Sequence, residues 1–211
     1  MKVEIWSDVI CPWCFVGKRR FETALENFAH RDDVQVIWRS FELDPDAPRQ
    51  LSGNLLEMLS EKYVVTLQQA AEMNDRVSSI AKEVGLEYKL EVARPGNTFD
   101  AHRLLHFAES RGLGDRAIER MMQAYFSESL PVGERAALVK LAPEFGIAES
   151  DAAAMLESDA YSDAVRADEA RAAEFKVRGV PFFVFDEKHG ISGAQPVGVF
   201  AEALDKVWAS D

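Results

Sequence analysis

Both cysteines of this 211-residue chain, Cys11 and Cys14, lie two residues apart in the stretch SDVICPWCFVGKRR. Two thiols at this spacing can be a structural staple, half of a metal site, or a pair that opens and closes by exchange with other thiols. The staple is the weakest of the three. A disulfide across two intervening residues closes a very short loop and removes little entropy from the unfolded chain. A chain of this length, 47% hydrophobic, also buries a sizeable core without one. A zinc site needs about two more ligands. His102 and His106, spaced i, i+4 on an expected helix, are the available candidates, but they lie in a distant part of the chain. Zinc modules usually keep their ligands closer in sequence. No metal is therefore expected, and the exchanging pair is the favoured reading.

An exchanging pair needs an element that favours the thiolate of one sulfur and hides the other. Pro12 suits the first position of a helix, where its missing N–H costs nothing. Cys11 then becomes the N-cap, with its sulfur facing the free N–H groups at the positive end of the helix dipole. Cys14 falls about one turn inside with its thiol turned inward, where it holds its proton more firmly. These positions assign Cys11 as the attacking nucleophile and Cys14 as the residue that resolves the mixed disulfide.

The elements around the pair can be read from the pattern of side chains. Residues 2 to 6, KVEIW, alternate polar and apolar as a short strand does, and a helix is expected from Pro12 to about Phe28. Residues 34 to 43, VQVIWRSFEL, read as a second strand with apolar residues on both faces, as expected for a strand covered on both sides. Helical patterns follow over 51–62, 67–85, 98–111, 114–127, 134–146, 149–157 and 160–177, punctuated by Gly and Pro. Strand character returns at GVPFFVF (179–185) and ISGA (191–194), and the chain closes on an amphipathic helix, PVGVFAEALDKVW. The expectation is an α/β fold with its core in residues 1–48 and 175–211 and an all-helical insertion over 49–174. The methionines of the insertion (Met58, Met73, Met121, Met122 and Met155) are expected as core filler, with a substrate groove as the lesser alternative.

Charge narrows the partners. Lys and Arg number 24 against 36 Asp and Glu, a net charge of −12, which argues against nucleic acid. The run Lys18-Arg19-Arg20 is the local exception and reads as a solvated helix face. No segment approaches the roughly 20 apolar residues that span a bilayer. The stretch MKVEIWSDVI carries Glu4 and Asp8 and lacks the apolar core of a secretory signal, so a cytoplasmic location with reduced thiols is expected.

CPWC after a first strand, with GVPFF about 170 positions later, resembles the thioredoxin superfamily. The helical insertion narrows the resemblance to the DsbA-like branch. SDVICPWC, GKRRFE, NTFDAHRLLHFA (97–108) and ISGAQP resemble its FrnE-like subfamily. The resemblance implies a thioredoxin-like βαβ…ββα fold with the helical insertion. It also implies that Pro181 matches the superfamily's cis-proline facing the active-site pair. Without it a trans proline opening a strand would be expected, since about 5–6% of X–Pro bonds are cis. By the same resemblance the Val180 backbone pairs with an extended substrate segment, and Pro12 and Trp13 lie on the substrate side, Trp13 at its rim. His102 then lies near the active site, either to hydrogen-bond a substrate or exchange a proton, or in a packed or capping role. Asp8 is either a proton acceptor or a turn residue. No cofactor is implied beyond the redox-active disulfide, with glutathione as a potential co-substrate. The implied activity is a cytosolic protein-disulfide reductase or isomerase acting on protein or peptide thiols and disulfides. The alternative is a glutathione-dependent small-molecule enzyme of the kappa-transferase or 2-hydroxychromene-2-carboxylate isomerase type. Such enzymes need no Cys14, and the retained pair argues against that alternative. With only two cysteines, a second disulfide relay within one subunit is excluded.

Overall fold

A computed structural model describes residues 1–49 and 54–210. The order is β1 (Lys2–Ser7), α1 (Pro12–Glu26) and β2 (Gln35–Ser40), then a run of helices. These are α2 (Leu55–Tyr63), α3 (Leu67–Glu83), α4 (Phe99–Glu109), α5 (Gly114–Glu128), α6 (Arg135–Leu141), α7 (Glu149–Glu157) and α8 (Ser162–Glu174). The chain closes with β3 (Phe182–Phe185), β4 (His189–Ser192) and α9 (Val197–Trp208). This is the expected α/β, thioredoxin-like order with helices inserted between β2 and β3. Residues 51–53 of the expected 51–62 helix lie outside the described residues. The expected helix over 134–146 divides, α6 stopping at Leu141 and a 3₁₀ turn covering Ala142–Phe145. Pro143, which has no N–H to donate to an α-helical ladder, sits in that turn.

The sheet runs β2-β1-β3-β4, with β1 and β2 parallel and the other two pairs antiparallel. Alternation along β1 decides what each face buries. Val3 and Ile5 point to the side covered by α1 and α9, where they join Phe21, Phe183, Phe185 and Phe200. The Phe21 ring lies 5.5 Å from that of Phe183 and 5.8 Å from that of Phe200, and its side chain is fully buried. Phe21→Ala is expected to cost about 3–5 kcal/mol, read as a lower urea midpoint with an unchanged slope.

Glu4 and Trp6 point to the opposite face, where α8 packs, and Trp6 Nε1 donates to the Asp168 carbonyl at 2.9 Å. Arg39 on β2 bridges Glu4 (2.6 Å) and Asp168 (2.9 Å), tying the sheet to α8 through charge. Strand β2 departs from expectation. It forms an edge of the sheet, with β1 as its one neighbouring strand, and is half-buried rather than fully covered. The Lys18-Arg19-Arg20 run departs too. Lys18 is buried and pairs with Glu22 and, at 3.0 Å, with Glu119, while Arg20 donates to the Ala194 carbonyl. The acidic side chains of α5 turn what looks like a solvated face into a packed one. The methionines divide as well: Met121, Met122 and Met155 are core, whereas Met73 is exposed.

A continuous apolar cluster runs from Val9, Cys11, Cys14, Phe15 and Val16 into α3, α4, α5 and α7. The cysteines thus lie where the sheet layer meets the helical layers.

Candidate active site

The register of the sheet builds the site. Trp6 pairs with Phe182 across the antiparallel β1–β3 ladder, so the chain leaves β1 and enters β3 at the same end. Residues 8–11 therefore stand beside Val180 and Pro181, although about 170 positions separate them. The Val180–Pro181 peptide bond is cis. Cys11 takes the extended N-cap conformation before Pro12, and its N–H donates to the Asp8 carbonyl at 3.1 Å. Its sulfur makes no cap hydrogen bond. Instead the thiol donates to the Val180 carbonyl at 3.4 Å. The expectation that this sulfur faces the helix amides is corrected here: as a thiol it is a donor, and the carbonyl is the acceptor in reach. The backbone atom expected to meet a substrate strand is the one that holds the resting nucleophile.

Cys11 and Cys14 are both free thiols and both buried, 4% and 1% exposed, while Trp13 between them is 38% exposed. Burial pushes the Cys14 thiol well up, and the Cys11 sulfur adds to the rise; the Ser7 hydroxyl and the Asp8 N–H oppose it. Such a sulfur suits a resolving role, because it stays protonated until a neighbour takes its proton.

Pro181 is seated on α1 at Gly17. A Cβ added to Gly17 would stand 2.8 Å from Pro181 Cγ, so the helix and the proline loop approach as closely as they do because this residue has no side chain. Gly17→Ala is expected to cost about 1–3 kcal/mol and to move Val180 away from Cys11. Thermal unfolding would show the first effect, and slower alkylation-coupled exchange at Cys11 the second.

On the other side of α1, Tyr88 donates from its hydroxyl to the Pro12 carbonyl at 2.7 Å and its ring lies 4.5 Å from that of Phe126. Burial raises the Tyr88 phenol, which stays a neutral donor. Nothing in the sequence flags Tyr88, since its partner lies 76 positions away.

His102 and Asp8 lie behind the cysteines. Both are fully buried, so His102 presents no surface to a substrate. Asp8 accepts the Leu43 N–H at 2.8 Å with one oxygen, and its other oxygen stands 3.4 Å from His102 Nε2. Burial alone would lower His102, but Asp8, with Glu42 and Glu169 farther out, outweighs it and raises the imidazole above its ordinary value. His106, one turn along α4, contacts Ser40 Oγ and Asp168 Oδ2, each at 3.1 Å through the same Nε2. Neither histidine turns toward the cysteines as a ligand, and among the described residues no three His, Cys, Asp or Glu side chains gather to hold a metal.

A reduced cysteine pair at the start of the helix after β1, facing a cis-proline loop before β3, defines a thioredoxin-fold protein of the DsbA type. The chain belongs to the DSBA-like thioredoxin domain family, whose model matches residues 2–205. It is 30% identical over 204 residues to the uncharacterized protein YwbO of Bacillus subtilis (strain 168), covering 96% of this chain and 94% of that one. The crystal structure of the probable DsbA oxidoreductase SCO1869 from Streptomyces coelicolor superposes with a TM-score of 0.96 at 44% identity, covering 100% of this chain and 91% of that one. A 2-hydroxychromene-2-carboxylate isomerase shares the fold at a TM-score of 0.72 and 12% identity, over 100% of this chain and 97% of the other.

Proposed function

We propose that this DsbA-family protein is a thiol–disulfide oxidoreductase that reduces or isomerises protein disulfides through Cys11 and Cys14. The observation that carries the reading is the Cys11 thiol resting on the Val180 carbonyl with Cys14 buried one turn behind it. In the first step the Cys11 thiolate attacks a substrate disulfide, forming a Cys11–substrate bond and releasing one substrate thiolate. Cys14, once deprotonated, then attacks Cys11, closing the Cys11–Cys14 disulfide and releasing the second thiolate. Two electrons pass from the pair to the substrate. An extended substrate segment would add beside Val180 by backbone pairing, displacing the weak S–H···O contact, while Trp13 would cover it from the rim. Two equivalents of a small thiol such as glutathione would return the pair to its reduced form. Net reduction or isomerisation fits the expected cytoplasmic, reducing surroundings, in which sustained oxidation would need a separate electron acceptor.

The fold is equally compatible with a glutathione-dependent isomerase, and Cys14 separates the two readings. The test is equilibration of the purified protein in glutathione redox buffers at neutral pH with free thiols counted at each ratio. A reversible two-electron transition is expected, its midpoint ranking the pair as reducing or isomerising. Thiols that stay open at every ratio would defeat the exchange reading and favour the isomerase type.

A further inference from the structure

A helix opens on backbone positions whose N–H groups find no partner inside it. In α1 these belong to Cys11, Pro12, Trp13 and Cys14, and three of them are accounted for. The Cys11 N–H donates to the Asp8 carbonyl at 3.1 Å, Pro12 has no N–H, and the Cys14 N–H donates to the Cys11 carbonyl at 3.0 Å. The Trp13 N–H is left without an acceptor among the described residues. Trp13 is the second residue of the helix, a position whose N–H a side chain at the N-cap accepts. The resting Cys11 thiol does not use it, because it donates to the Val180 carbonyl instead.

The direction of that free N–H is set from outside α1. A peptide unit is planar, so the Pro12 carbonyl and the Trp13 N–H point opposite ways and turn together. The Pro12 carbonyl accepts from the Tyr88 hydroxyl at 2.7 Å. Tyr88 is fixed on both sides to the end of α5. The Lys89 N–H donates to the Phe126 carbonyl at 2.7 Å, and the Ser127 hydroxyl donates to the Glu87 carbonyl at 2.6 Å. The Tyr88 ring stacks on Phe126 at 4.5 Å and lies 6.4 Å from the ring of Phe15. A strut therefore runs from the helical insertion to the first turn of α1.

We propose that Tyr88 is a positioning residue for attack by Cys11: through the Pro12–Trp13 peptide it aims the Trp13 N–H at the place the thiolate takes on leaving Val180. The role rests on the exchange reading above, in which Cys11 is the nucleophile. Once its proton has gone to solvent, the Cys11 sulfur has nothing to donate and is repelled by the Val180 carbonyl. Rotation about its Cα–Cβ bond turns it toward the Trp13 N–H, and the Val180 carbonyl is free to accept from a substrate segment. The thiolate then bonds to one sulfur of the substrate disulfide. The substrate S–S bond breaks, and the other sulfur leaves with the electron pair. Tyr88 takes no part in the bonds that form and break and acts through the peptide alone.

Tyr88→Phe removes the hydroxyl and keeps the ring against Phe126. In the reduced full chain, alkylation of Cys11 by iodoacetamide, located by fragment mass, is expected to slow roughly fivefold at neutral pH, about the factor to which one net hydrogen bond corresponds. The difference should close above about pH 10, beyond the ordinary thiol value of about 8.5, because the thiolate then forms without help. Equal slowing at every pH would reduce Tyr88 to a packing role, and an unchanged profile would remove it from the site. A second measurement needs no variant. In wild type isotope-labelled at its tryptophan nitrogens, the Trp13 amide proton should move downfield with the same pH midpoint as the alkylation. A Trp13 amide that ignores that midpoint overturns the proposal even where Tyr88→Phe fails to fold. Failure of the exchange reading looks different: no two-electron transition in glutathione buffers, with the Tyr88→Phe profile and the Trp13 shift both as expected.

Discussion

Cys14→Ser is expected to turn the protein into a covalent trap. With its resolving sulfur gone, Cys11 would still attack a disulfide, and the resulting bond would persist because no second thiol lies in reach. One equivalent of substrate thiol per chain should accumulate, visible as a mass increase that dithiothreitol reverses. Cys11→Ser should accumulate none, and disulfide reduction should fall by roughly 10³-fold or more, as is usual when a covalent nucleophile is removed. The asymmetry follows from position. Cys11 stands at the end of the loop with its thiol on the Val180 carbonyl, whereas burial pushes the Cys14 thiol up and keeps it protonated. A glutathione-activating isomerase would behave differently, since Cys14→Ser would leave its turnover intact and trap nothing.

The local half of this site was legible and the long-range half was not. Pro after Cys11 marks the helix start, so the N-cap position of Cys11 and the inward turn of Cys14 follow from four adjacent residues. The Val180 carbonyl above Cys11 depends instead on β3 pairing antiparallel to β1, which periodicity within a segment does not encode. Resemblance to the family supplied it. Lys18 shows the same division: its own surroundings, GKRRFE, look solvated although they include its partner Glu22, and the further carboxylates around it, Asp115 and Glu119, come from α5. His102 sits on the helix expected near the site, but which side of the cysteines it occupies is a matter of packing. Ser7 gave no signal, because a serine ending a strand is ordinary until its buried hydroxyl is found without a hydrogen bond among the described residues. Pro143 is the opposite case. Its break in the 134–146 helix is a local signal that the apolar periodicity of the segment outweighed.

The largest expected pH effect on stability comes from Glu4, on the strand that leads into the cysteine loop but apart from the cysteines in role. Its carboxylate is fully buried, and Arg39 and Arg171 each reach it at 2.6 Å. Burial pushes its carboxyl up, but the hydrogen bonds from Arg171 and Arg39, with their charges, outweigh that and hold it at about 2. In the unfolded chain it would titrate near its ordinary value of about 4.3. The folded state therefore binds this proton less readily than the unfolded one. Its stabilising contribution is fully present above about pH 4.3 and disappears as pH falls toward about 2. The two arginines remain a quarter exposed, so solvent screens part of the interaction, and the contribution at neutral pH is about 2 kcal/mol. Glu4→Gln keeps the size of the side chain and removes the charge. Urea unfolding at pH 7 should show that loss of about 2 kcal/mol, and the gap from wild type should narrow steadily between about pH 4.3 and pH 2. A gap of constant size across that range would mean that the amide disturbs packing and that charge is not what joins β1 to β2 and α8. Since α8 also carries Glu169 to the group of carboxylates around His102, the same variant is expected to loosen that group while leaving the Cys11–Val180 contact in place.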